Sequence, residues 1–362
     1  MTRDDGRFID ERLGILAGEG SQQQVSSPRD QTTGTTPDVW AHDPSDPQAK
    51  RSYYERPVLK EPVWIWSVPA YFYAGGVCGA AAVLGAIAQG VDNRGLRKLV
   101  RRCRWISALG GGAGTVFLII DLGRPGRFLN MLRVFRPTSP LNLGSWVLAT
   151  ATPLSSGAAA LSGARGFLGV LGDLAGLGAG VAGLPMSGYT AVVLSTTAIP
   201  VWQSARRTLP WLFVASAASS TSALLDMTDL DDRERRIVGT FGRLASVGEI
   251  IAAFAVEREA GAVARVGRPL REGVSGALWR TSLAFGIGGL VLSLAPGRSR
   301  LTRFVSGALT TAGALSMRFS LFHAGTASAR DPHATFEMQR RGLGGAEATG
   351  LAAVTGPADD ER

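Results

Sequence analysis

Apolar positions along this chain gather into eight long runs, roughly 64–90, 105–122, 140–164, 182–205, 208–227, 237–257, 276–296 and 304–327. A hydrocarbon layer about 30 Å thick needs about 20 residues of helix to cross it, and each run is close to or above that length. The runs show no alternation of apolar and polar positions, which a barrel strand requires, and they are rich in Gly and Ala, which let helices pack closely in lipid. The pattern predicts an all-α protein, an integral membrane bundle of eight transmembrane helices over residues 61–328. Residues 1–60 read as a polar N-terminal extension. Its stretch from Gly18 to Lys50 has too little apolar surface to fold alone and is expected to be disordered or draped on a partner. The polar tail 329–362 reads the same way. The first 60 residues contain no apolar signal-peptide core, so insertion is expected to begin with the first span.

Composition sharpens this picture. The 362 residues are 45% hydrophobic and 19% charged, with a formal charge of +9. Much of the positive charge lies in short connections, such as Arg94, Arg97, Lys98, Arg101, Arg102 and Arg104, a placement that suits phospholipid headgroups better than nucleic acid. Lys and Arg divide almost evenly between the two sides, so charge assigns no orientation. Trp64, Trp66, Trp105, Trp202 and Trp211 fall at run edges, where an interfacial aromatic belt is expected. Cys78 and Cys103 are the only cysteines, and His42, His323 and His333 the only histidines. An iron–sulphur cluster usually needs four thiolates and a bis-histidine haem two imidazoles at membrane depth, where only His323 lies. The chain is therefore expected to carry no metal, haem or iron–sulphur cluster of its own. Cys78 reads as a small packing residue and Cys103 as a residue at the membrane edge. Gly110-Gly-Gly-Ala-Gly114 lies inside a run with no preceding strand, which favours close helix packing over a phosphate loop.

Several polar residues break the apolar runs. Asp121 closes the second run, followed by Gly123 and Pro125, residue types that end helices. A carboxylate at the negative end of a helix dipole calls for a cation, for which Arg124 and Arg127 are candidates. An ion pair and a site handling protons or a polar ligand head are both open readings. Ser139-Pro140 supplies an N-cap and first helical residue, which places Asn142 and Ser145 near the start of the third span. Those side chains and free backbone N–H groups suit the carbonyl of a lipid-soluble ligand, or simply cap the helix. Tyr189, expected near the start of the fourth span, is either a belt residue or part of a ligand site. Trp66 and Tyr71 open an aromatic entrance above the small residues of the first span. Asp226, Glu249, Arg318 and His323 lie within or at the ends of spans, Glu249 at mid-depth with Ser246 one turn away. Glu249 either pairs with Arg318 or Arg243 to lock helices or serves a proton route, which Ser316, Ser320 and His323 on one helix face would extend. Asp121 and Asp226 are the remaining acidic proton-transfer candidates.

Asp121-Leu-Gly-Arg-Pro-Gly-Arg-Phe128, Ser139-Pro-Leu-Asn-Leu-Gly-Ser-Trp146, Ile199-Pro-Val-Trp202 and Leu209-Pro-Trp-Leu-Phe213 together resemble the NrfD family, the membrane subunits of polysulfide-reductase-type complexes. The resemblance covers about residues 58–328. It implies an eight-helix core in the bacterial cytoplasmic membrane that exchanges electrons with a quinone, menaquinone or ubiquinone. The partners it implies are a four-cluster ferredoxin-like iron–sulphur subunit and a catalytic subunit. It further implies a quinone pocket near one membrane surface, for which Trp66, Tyr71, Asp121, Arg124, Asn142, Ser145 and Tyr189 are the candidates. Tyr189 best matches by position the tyrosine associated with that pocket. No histidine lies near the entry of the first span, where some relatives place a quinone ligand. Buried acids and an intramembrane arginine also suit an ion or solute transporter. A purely structural membrane anchor is the third reading.

Overall fold

The computed structural model describes residues 57–340, apart from 124 and 298, and two short strands near the N-terminus. The chain divides into two units, Met1–Arg56 and Pro57–Arg362. In the first, β1 (Phe8–Asp10) and β2 (Ile15–Ala17) pair antiparallel with Phe8 opposite Ala17; the stretch 18–50 lies outside the described residues.

Among its described residues the second unit is helical, with no strand. Its described residues form α1 (Ser67–Asp92), α2 (Arg97–Asp121), α3 (Pro140–Ala160), α4 (Gly166–Ser195), α5 (Pro200–Ser204), α6 (Leu209–Asp226), α7 (Asp232–Ala260), α8 (Ala264–Gly267), α9 (Gly273–Leu294), α10 (Arg300–Arg330) and α11 (Pro332–Arg340). Eight of these have 18 residues or more. Five, α1, α2, α4, α7 and α9, are long and apolar enough to cross a membrane, which makes the chain a multi-pass membrane protein.

Local sequence explains several helix ends. Gly123, at φ +65°, turns the chain out of α2 in a conformation that a side chain would resist. The Ser139 side chain accepts the Asn142 N–H and Pro140 occupies the first helical position, so α3 starts where expected. A capping box between Asp231 and Glu234 starts α7.

The fourth helix departs from expectation. It starts at Gly166, well before 182, and ends at Ser195, so Tyr189 lies near its end rather than its beginning. The glycines of 166–183, which fall between the third and fourth predicted runs, form packing surface. A Cβ at Gly183 would meet the Gly79 carbonyl at 2.6 Å, and one at Gly79 the Ser187 nitrogen at 2.6 Å, so α1 and α4 touch backbone to backbone. After Ser195 the chain breaks, because Ile199 precedes proline and is extended, and α5 follows as a separate short helix. Trp202, on α5, is fully buried rather than part of an interfacial belt. Its indole N–H donates to the Leu321 carbonyl at 2.8 Å, and its ring stacks on Trp64 at 5.9 Å.

Helix α1 is the hub of the bundle. It packs against α2 and α4 on one side and α6 and α10 on the other, while α3 lies on α4, α7 on α6 and α9 on α10. Bonds between helix ends sort the two faces. Ile65 to Asp121, Glu61 to Arg330, Thr208 to Glu259 and Ser320 to Ser275 bring together the starts of α1, α6 and α9 and the ends of α2, α7 and α10. We call this the near face. On the far face, Arg233 bonds Asp92, Arg104 bonds Asp173 and Leu99 bonds Glu234. Of the polar tail, α11 packs Ala334 and Met338 into the core on the near face. Cys103 is fully buried beside Leu84, Leu99 and Val238 rather than at an edge, because Gly85 on α1 leaves room for it.

Candidate functional site

At the near-face end of α1–α4, four helices bring most of the predicted ligand residues together. Asp121, in the last turn of α2, accepts the Ile65 N–H at 3.1 Å, which ties the end of α2 to the segment entering α1. Four residues earlier on the same helix, Phe117 meets the half-exposed Trp66 edge to face at 6.0 Å. Arg124 lies outside the described residues, and nothing of the Arg127 side chain is described.

Below this rim is a tyrosine pair. Gly114 would place a Cβ 3.2 Å from the Tyr71 ring, and it stands seven residues before Asp121, about 10 Å along the helix. Tyr71 is buried, and its ring centroid lies 6.5 Å from that of Tyr189. The Tyr189 ring occupies space left by the missing side chain of Gly144 on α3. Ser145, next to Gly144, is buried and donates to the Leu141 carbonyl at 3.1 Å.

Asn142 is used differently from the expectation of a ligand contact. Its amide donates to the Met131 and Val134 carbonyls and accepts the Arg136 N–H at 2.6 Å, so it staples the loop after the 3-10 helix Pro125–Leu132 onto the start of α3. Trp146 reinforces the same loop against Phe135. Trp66, Tyr71, Asp121, Ser145 and Tyr189 thus converge, with Asn142 fixing the loop beside them.

A second polar group lies inside the other half of the bundle. Glu249 of α7 accepts a hydrogen bond from Ser219 of α6 and interacts electrostatically with Arg318 of α10, without a direct ion pair. Arg318 is 1% exposed. One of its terminal nitrogens donates to the Phe213 carbonyl at 3.2 Å, and its guanidinium carbon lies 4.0 Å from the Phe213 ring centroid. Tyr73 of α1 adjoins Ser220 and Thr311 in the same cluster. This cluster therefore joins four helices around one acid and one cation.

Asp226, at the far-face end of α6, lines a narrow crevice with Ser219, Ser222, Arg243, Ser246 and Thr310. The crevice thus connects the far face to the serine that bonds Glu249. His323 is placed elsewhere. It is exposed and lines a cavity of about 450 Å³ on the near face with Arg265, Ser275 and Asp331. Ser320 donates to the Ser275 carbonyl, so that face of α10 serves the α9 junction rather than extending a route from Glu249.

The sequence reading missed Ser219, Ser222 and Thr311. The signal was present in the hydroxyl-rich run Ser219-Ser-Thr-Ser222, dense in polar groups for a helix interior in lipid. Among the described residues, no three His, Cys, Asp or Glu side chains converge to hold a metal ion.

The family described as "Polysulphide reductase, NrfD" matches residues 58–328. A search of curated proteins found no match to this chain.

Proposed function

The chain belongs to the NrfD family of polysulphide-reductase-type membrane subunits, and from that premise we propose that it links the membrane quinone pool to a separate iron–sulphur subunit. In this reading all eight long helices cross a bacterial cytoplasmic membrane. The iron–sulphur subunit is of the four-cluster ferredoxin type and is itself joined to a catalytic subunit. The convergence of Tyr71 and Tyr189, 6.5 Å apart beneath the Asp121 rim, is the observation that carries the reading.

The donor set fits a quinone head. A flat ring needs apolar faces, which Tyr71, Tyr189 and the Trp66–Phe117 pair supply, and its carbonyls need donors, which the phenols supply. The quinone, menaquinone or ubiquinone, brings two-electron, two-proton redox chemistry when bound. Gly144 gives the Tyr189 ring its position. Asp121, beside the entry segment and nearer the surface, exchanges protons with water. Arg124 adjoins it in sequence and is assigned to the same rim.

Glu249, Ser219 and Asp226 support a coupled role in proton transfer. Glu249 holds or passes a proton, Ser219 bridges it to the crevice, and Asp226 collects protons at the far face. Arg318 sets the field at Glu249, and His323 serves the near face.

Tyr189→Phe tests the quinone assignment, because it removes a donor and keeps the ring. Quinone turnover by the assembled complex should fall about tenfold or more, while assembly with the iron–sulphur subunit stays intact. Unchanged quinone kinetics would remove Tyr189 from the site.

A further inference from the structure

On the far face, remote from the tyrosine pair, the α1–α2 turn and the start of α4 enclose a cavity of about 170 Å³. Arg94, Arg97, Arg101, Arg104 and Asp173 line it together with Asn93. Four arginines face one carboxylate, a surplus of three positive charges.

Only one of the arginines is neutralised. Arg104 is 7% exposed, with one terminal nitrogen 2.7 Å from Asp173 and 2.9 Å from Gln89, while its Nε has no partner. Arg94, Arg97 and Arg101 are exposed and form no ion pair among the described residues.

Helix polarity makes the surplus harder to tolerate. Helix α2 has no acidic residue in its first turn and no side-chain cap from Leu96, yet Arg97, Lys98 and Arg101 sit at its positive end. Arg97 and Arg101 are also one turn apart, where like charges repel. Glu234 answers the other side of the turn only, accepting the Leu99 N–H and approaching Arg102 at 3.8 Å. The start of α7 shows the ordinary solution, with Asp231 capping and Asp232 and Glu234 in the first turn. Helix α4 also begins at this cavity, through Ala164 and Gly169, and Arg165 gives it no side-chain cap. Two helix N-termini and three unanswered guanidinium groups therefore share one concavity whose single carboxylate, Asp173, is taken by Arg104.

The surface below the cavity identifies the anion's class. Along α2, Arg101 is followed one turn on by Trp105, 45% exposed, and one turn further by Leu109, 67% exposed. On α4, Phe167 and Leu168 are exposed beside Gly169. Cation, indole and aliphatic surface follow in the order in which a phospholipid presents phosphate, glycerol ester and acyl chain. A soluble phosphate would use the cations and leave the apolar strip unused. We propose that this cavity binds an anionic phospholipid, its phosphate held by Arg94, Arg97 and Arg101 and an acyl chain lying along Trp105 and Leu109.

Arg97→Gln/Arg101→Gln tests the site, because neither side chain has an ion-pair partner to lose among the described residues. The full chain is purified in neutral detergent, delipidated and titrated with dioleoyl phosphatidylglycerol, dioleoyl phosphatidylcholine or inorganic phosphate, with bound lipid read by native mass spectrometry. Wild type should retain phosphatidylglycerol in preference to phosphatidylcholine. At about 1 kcal/mol per surface arginine, the double variant should bind phosphatidylglycerol about thirtyfold more weakly. Arg133→Gln/Arg136→Gln, in the loop before α3 on the near face, should bind it as wild type does. Equal phosphatidylglycerol binding by wild type and Arg97→Gln/Arg101→Gln overturns the site. Displacement of the lipid by millimolar inorganic phosphate overturns the lipid assignment in favour of a soluble anion.

Discussion

Replacing Gly144 with alanine tests how tightly the tyrosine pair is packed. A methyl group built there lies 2.7 Å from Cδ2 of Tyr189 and 3.0 Å from Cζ, with Cε2 nearer still. Carbon atoms in good contact are about 3.5–4.0 Å apart, so the ring must move. Its retreat is limited by Tyr71, which is itself buried between Phe72 and the Gly114 backbone. Overpacking of this kind costs about 1–3 kcal/mol. Exchanging glycine for alanine inside a helix returns about 1 kcal/mol. The net effect should be a loss of roughly 0–2 kcal/mol. In a Tyr189→Ala background the clash is gone, so the same exchange should stabilise by about 1 kcal/mol. The two positions should therefore couple by about 1–3 kcal/mol. Thermal unfolding of wild type, both single variants and the double variant in one detergent measures this directly. Quinone turnover should fall in Gly144→Ala as the Tyr189 ring is displaced. If Gly144→Ala stabilises wild type as much as it stabilises Tyr189→Ala, the two side chains are not in contact and the packing argument is wrong.

Three further outcomes are expected. Glu249→Gln should slow proton movement in vesicles at least tenfold with the complex still assembled; intact proton movement would take Glu249 off the route. Arg318→Met should lose about 1.5–3 kcal/mol with the charged hydrogen bond to the Phe213 carbonyl, and adding Glu249→Gln should recover only the part that the field of Arg318 at Glu249 supplied; no recovery on denaturant unfolding would show that the two groups are independent. Glu61 is bonded bidentately to Arg330 at 2.7 and 2.8 Å, and that hydrogen bond holds its carboxyl below the usual range. Its stabilising contribution is therefore present above the unfolded value of about 4.3 and is lost as pH falls through the lowered folded value. Both groups are exposed to solvent, so Glu61→Gln should cost only about 0.3 kcal/mol at pH 7 and less at pH 3, below the unfolded value. An equal cost at both pH values would contradict this origin.

The local grammar of the chain was readable without coordinates. Apolar runs announced a helical membrane bundle, Gly123 ended α2 after Asp121, and Ser139-Pro140 began α3, because length, capping and proline restriction act within a few residues. The motifs around Asp121 and Ser139 likewise carried the family, which the match over residues 58–328 shows. Glycine-rich 166–183 was not readable, since a run of small residues becomes helix only when another helix accepts its backbone, as α1 does at Gly79. Trp202 was expected in the interfacial belt and is core instead, because α5 turns it toward Leu321 rather than toward lipid. Asn142 could be placed in the first turn of α3 but not given its bonds to the preceding loop. Glu249 stood out as a mid-depth acid with Arg318 or Arg243 as candidate partners, while its bond to Ser219, from a helix distant in sequence, was not readable. Sequence alone thus determined that the chain is a helical membrane bundle, where α2 ends and α3 begins, and which residues are costly in a membrane. Which of those residues meet was decided by tertiary packing, because small-residue contacts set the helix rotations and separations that bring Tyr71 to Tyr189 and Glu249 to Ser219.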